Sequence, residues 1–152
     1  MFTRILVPVD GSPTSNKALV AALQLARESG GRVRLIHVFD ELAYLTGFEY
    51  SADLIAQTRG YAEKTLMEAA EIAKAAGVPA DTRLVDRPGQ RLGEAIAEEA
   101  RTFEANLVVV GTHGRRGIGR ALLGSGAEQV IRMAPVPVLS IRAPEEAPAK
   151  AR

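Results

Sequence analysis

A chain of 152 residues, 47% of them apolar, has the length and material for one domain with a proper core. A formal net charge of +1 argues against a dedicated nucleic-acid or membrane-surface binder, and the absence of cysteine excludes disulfides, thiol catalysis and thiolate metal sites. The chain runs directly into a strand-like segment and holds no apolar run near the ~18 residues of a membrane span, so the expectation is a soluble cytoplasmic protein.

Arg4 to Val9 is apolar almost throughout, the pattern of a strand buried on both faces, with Asp10 at its C-terminal end. Ser12-Pro13 reads as the N-cap and first residue of a helix whose apolar stripe is Ala18, Leu19, Ala22, Leu25 and Ala26. Gly30-Gly31 stops it, and Arg32 to Phe39 forms a second strand. The interval from Asp40 to Tyr50 holds Tyr44, Phe48 and Tyr50, either a lid or a cover for the sheet edge. A long helix is predicted from Ala52 to Ala76, with Leu54, Ile55, Ala62, Leu66, Ala69, Ile72, Ala73 and Ala76 turned inward. Gly60 costs about 1 kcal/mol there against alanine and marks a possible break. Gly77 and Pro79 end the helix, and Asp81 to Asp86 is a third strand. Pro88-Gly89 turns the chain into a helix bearing Leu92, Ala95, Ile96, Ala100 and Phe103.

The segment Asn106 to Glu128, NLVVVGTHGRRGIGRALLGSGAE, organises the rest. Leu107 to Val110 is a buried strand that stops at Gly111. A basic, glycine-punctuated loop follows, and Gly124-Ser125 opens a helix, with Ser125 and Glu128 spaced as a capping box. A strand, a glycine-rich loop and a helix N-terminus together make an anion site, because free N–H groups and the helix dipole point at the ligand. Glycines let the backbone approach phosphate oxygens closely. Val136 to Arg142 is a fifth strand, and the Pro/Ala-rich tail 143–152 is expected to be disordered. Strands alternating with helices over residues 1–142 predict a single α/β domain, a doubly wound parallel sheet with helices on both faces. Neither GxxxxGK[ST] nor GxGxxG occurs, so the P-loop and dinucleotide fingerprints are excluded.

The spacing Gly111, two residues, Gly114, nine residues, Gly124-Ser125 resembles the nucleotide-binding signature of the universal stress protein family. So do the opening Ile5-Leu6-Val7-Pro8-Val9-Asp10-Gly11-Ser12 and the closing Pro135-Val136-Pro137-Val138, so the likeness spans about residues 3 to 142. The resemblance implies a Rossmann-like sheet of order 3-2-1-4-5 and a site where that order reverses, with Asp10 across from Gly111. It implies a bound ATP, with magnesium or manganese entering through the phosphates. Asp10 then contacts the nucleoside, and Pro8, Val9 and Val38 line the adenine pocket. Gly111, His113, Gly114, Arg115, Gly124 and Ser125 surround the phosphates, with Arg115 better placed than Arg116 or Arg120. The bland alternatives are a turn aspartate, strand core and a solvated loop. His37 reads as packing, and neither it nor His113 has the partners of a triad or an acid/base pair. The resulting expectation is an ATP-binding stress regulator or sensor that forms a homodimer through the strand 136–142. It binds no nucleic acid and no membrane, and its downstream protein partner is not legible. A slow ATPase or phosphotransferase, and an interaction protein without nucleotide, stay open as alternatives.

Overall fold

The computed structural model describes residues 1–39, 52–87, 89–112 and 125–142. The elements are β1 (Arg4–Pro8), α1 (Pro13–Ser29), β2 (Arg32–Phe39), α2 (Ala52–Ala75), β3 (Ala80–Asp86), α3 (Leu92–Phe103), β4 (Leu107–Gly111), α4 (Ser125–Met133) and β5 (Val138–Ile141). They form one parallel sheet of order β3-β2-β1-β4-β5, as the resemblance implied. The order reverses between β1 and β4, where Ile5 pairs with Leu107 and Leu6 with Val108.

Because alternate strand residues point to opposite faces, the core is in two parts. Ile5, Val7, Val9, Val33, Leu35, Leu107 and Val109 pack under α1 and α2. Leu6, Ile36, Val85, Val108 and Val110 pack under α3 and α4. Such doubly covered strands carry the unbroken apolar runs seen in the sequence.

α1 begins as the sequence predicts. Ser12 Oγ accepts the Ser15 N–H at 3.1 Å, Pro13 occupies the first turn, and Gly30 closes the helix in the left-handed region. α2 runs unbroken through Gly60, so the possible break is absent. Ile55, Ala62, Leu66, Ala69 and Ala73 are buried along it. Leu54 and Ile72, expected inward, are instead 44% and 39% exposed. Each sits one residue before a buried position and is therefore rotated about 100° off the stripe. β5 is shorter than the expected 136–142: its pairing begins at Val138, and Pro137, which has no N–H, contributes only its carbonyl, to the Val108 N–H.

Polar contacts tie the far end of the sheet together. Arg34 grips both oxygens of Asp81 at 2.9 and 3.0 Å. This fork holds the Asp81 carboxyl below its ordinary range, against the opposing effect of burial. Among the described residues no helix is long and apolar enough to cross a membrane.

Candidate functional site

The C-terminal ends of β1, β2 and β4 converge where the sheet order reverses, the place at which open α/β sheets take ligands. β1 delivers Asp10, half-buried, just past its last rung. Asp10 Oδ1 accepts the Ser12 N–H at 2.9 Å, and the Asp10 N–H donates to Ser15 Oγ at 3.1 Å. Gly11 completes this turn at φ +82°, where a side chain would be strained and its Cβ would lie 2.8 Å from the Tyr61 hydroxyl. The Tyr61 hydroxyl reaches the Asp10 carbonyl at 3.4 Å. The turn reading of Asp10 is therefore correct, yet it uses only one oxygen. Oδ2 has no hydrogen-bond partner among the described residues, and the turn holds it in a fixed direction.

β2 delivers Val38, which is half-buried and packs against the core under α3 and α4. Val9 beside it is buried, and its N–H donates to the Ile36 carbonyl at 2.8 Å. Pro8 ends β1 half-buried and has no N–H to give. His37, read from sequence as packing, places Nδ1 2.8 Å from the Val9 carbonyl. A carbonyl can only accept, so Nδ1 carries the proton in this contact.

β4 delivers Gly111 and Thr112. A Cβ on Gly111 would meet the Thr14 carbonyl carbon and oxygen at 2.9 Å, so this glycine lets β4 press against the first turn of α1. Thr112 is 1% exposed and donates its N–H to the Ile141 carbonyl at 3.0 Å. Its Oγ1 is buried with no hydrogen-bond partner among the described residues. An unsatisfied buried hydroxyl costs about 1–3 kcal/mol and calls for an explanation. Continuing the β1–β4 register of Ile5 with Leu107 brings Asp10 level with Thr112. Sequence reasoning passed over Thr112. The signal was there: a polar residue one glycine beyond four buried strand residues.

His113, Gly114, Arg115, Arg116, Arg120 and Gly124 lie outside the described residues, as do Tyr44, Phe48 and Tyr50. Ser125 opens α4, with Glu128 in the first turn. The Ser125 side chain of the expected capping box lies outside what is described. Glu128 Oε2 lies 3.5 Å from Arg132, one turn further on. α4 is seated against α3, where the Gly93 N–H donates to Gln129 Oε1 at 3.0 Å. Among the described residues no three histidine or carboxylate side chains converge to hold a metal.

Known proteins resemble this chain over nearly all its length. A universal stress protein of Methanocaldococcus jannaschii is 33% identical over 148 residues, covering 96% of this chain and 85% of the relative. A solved universal stress family protein from Burkholderia pseudomallei is 31% identical, with TM-score 0.76, covering 93% of this chain and 97% of that one. The universal stress protein of Archaeoglobus fulgidus in complex with dAMP is 27% identical, with TM-score 0.69, covering 92% of this chain and 98% of that one. The family model described as "Universal stress protein family" matches residues 1–142, and the chain belongs to that family.

Proposed function

We propose that the site between β1, β2 and β4 binds an adenine nucleotide, ATP in the first place, and that the protein acts as a cytoplasmic stress regulator or sensor rather than as an efficient enzyme. The observation that carries this reading is the set of polar groups without partners among the described residues at the reversal point: Asp10 Oδ2, the Val38 main chain and the buried Thr112 hydroxyl. Asp10 would take the ribose hydroxyls and Pro8, Val9 and Val38 the base. Gly111, Thr112, His113, Gly114, Arg115, Gly124 and Ser125 would face the phosphates. The Archaeoglobus relative, solved with dAMP, supports the ligand class. Any magnesium or manganese would be held through the phosphates, with waters filling its shell. Sequence motifs place no residue to activate water, which supports slow or absent turnover.

The first test is to denature the purified protein and identify any nucleotide released. ATP or another adenine nucleotide is expected. Calorimetry then separates the two ends of the site. Asp10→Ala should weaken ATP and adenosine alike, whereas Arg115→Ala should weaken ATP more, because only ATP offers phosphates for the guanidinium. A protein that releases no nucleotide and shows no heat with ATP, AMP or adenosine overturns the reading. Phosphate release from ATP and magnesium should fall far below the roughly 1–100 per second of kinases.

A further inference from the structure

The β1–β2 ladder ends one rung early. Arg32 N–H donates to the Thr3 carbonyl at 2.9 Å and Val9 N–H to the Ile36 carbonyl at 2.8 Å, so even-numbered residues of β2 face β1. The next rung in this series would run from the Val38 N–H to the Val9 carbonyl. It is not made, and the pairing stops at Pro8 with Ile36. The strand itself does not fray there. β2 stays extended against β3 through Val38 with Val85 and Phe39 with Asp86. The Val38 N–H and C=O therefore point side by side toward β1, into the site, with no partner among the described residues.

The reason lies in the residue before. His37 stands on the sheet face that buries Val33 and Leu35, and its Nδ1–H donates to the Val9 carbonyl at 2.8 Å. That carbonyl is the acceptor the Val38 N–H would have used. We infer that His37 is a positioning residue: it captures the Val9 carbonyl and so keeps the Val38 main chain open as a base-reading edge. This deepens the proposed function and rests on it for the identity of the ligand. One open N–H donor beside one open C=O acceptor matches the Watson–Crick edge of adenine, whose N1 accepts and whose N6 amine donates. Hypoxanthine and guanine present the reverse, an N1–H donor and an O6 acceptor. His37 thereby sets selectivity for adenine without touching the base.

Two readouts test this, one of them free of ligand. In the wild type the Val38 amide should exchange with deuterium at least about tenfold faster than the ladder-bonded Ile36 amide. In His37→Leu the Val9 carbonyl is released, the missing rung closes, and Val38 exchange should slow by about tenfold. The ratio of adenosine to inosine affinity, measured by calorimetry, should collapse by a similar factor. His37→Gln, whose side-chain amide can donate to the same carbonyl, should restore both. A histidine that merely packs would lower both nucleosides equally and leave the ratio intact. A folded His37→Leu protein with unchanged Val38 exchange and unchanged ratio overturns the inference. So does a wild type whose Val38 amide is as protected as Ile36, a result that needs no variant to fold. A wild type that binds neither nucleoside overturns the adenine reading instead, and Val38 exchange still decides what His37 does.

Discussion

Gly111 and Thr112 are neighbours with opposite demands on the chain. The sequence reading gave Gly111 to the phosphates, because glycine after a strand permits close approach of an anion. In the structure the close approach is to Thr14, whose carbonyl atoms would sit 2.9 Å from an added Cβ. Gly111→Ala should therefore destabilise the ligand-free protein by about 1–3 kcal/mol, seen as a lower denaturation midpoint at unchanged slope. Thr112 behaves the other way. Its buried Oγ1 has no partner among the described residues, so the near-isosteric Thr112→Val removes an unsatisfied group. That variant should be as stable as wild type or more so, and should bind AMP about tenfold less tightly if the hydroxyl serves the ligand. Equal AMP affinity in a folded Thr112→Val protein would remove Thr112 from the site. Asp10 shows how far one residue is legible. Asp-Gly-Ser after a strand announces a turn, and the turn is there, with Oδ1 committed to Ser12. The Asp10 main chain is held further by Ser15 and by Tyr61, and no local pattern connects Tyr61 on α2 to Asp10.

Elements were legible wherever one stripe of apolar residues settles the burial. α3 shows the boundary of that method. Ala95, Ile96, Ala100 and Phe103 mark its buried face, and Glu99 falls inside the same face with 0% exposure. A hydrophobic pattern has no place for a carboxylate there. The structure supplies the reason from β3 and the turn after it: Arg83 Nε lies 3.0 Å from Glu99 Oε1, and Arg87 Nη2 3.2 Å from Oε2. Arg87 also holds Glu98 at 3.1 Å, so the two carboxylates clamp the start of the β3–α3 turn onto the helix. The partners are 12 and 16 residues away, which is why periodicity within α3 could not reveal them. Removing a buried partner is costly when the remaining charges stay buried, about 3–5 kcal/mol. Arg83 is 48% and Arg87 31% exposed, so both can recover water. Glu99→Ala should therefore lose about 2–3 kcal/mol, including the void it leaves. Glu99→Leu, which fills the volume, should lose clearly less. Urea titration of the two variants measures both. Equal losses for the two variants would mean that the clamp, not the packing, dominates this face.

At the scale of the molecule, alternating strands and helices were enough to predict a doubly wound sheet, but not its order. Strand order is decided by which crossovers bury which faces, and that information is spread over the whole chain. The family resemblance provided it, and the observed order β3-β2-β1-β4-β5 agrees. The order leaves β5 at one edge of the sheet, and an edge strand needs a partner or a block. Pro135 and Pro137 are the nearest candidates for a block. In the structure both precede the strand, which begins at Val138, so neither occupies its edge. The Val108 N–H donates to the Pro137 carbonyl and the Thr112 N–H to the Ile141 carbonyl, each at 3.0 Å, so odd-numbered residues of β5 face β4. The N–H and C=O groups of Val138 and Ser140 then face outward. An antiparallel pair of β5 strands about a two-fold axis at Leu139 would satisfy all four of these groups in each subunit. It would also set the two Leu139 side chains, each 38% exposed, opposite one another. Val138 is the wrong residue with which to break such a dimer, because it packs against the core under α3 and α4. Leu139→Asp is the right one, since it places two like charges across the axis while leaving the core intact. The expected result is a dimer for the wild type and a folded monomer for Leu139→Asp, read by light scattering and circular dichroism. A wild type that stays monomeric at high micromolar concentration would overturn the pairing, and the bare edge of β5 would then need some other cover.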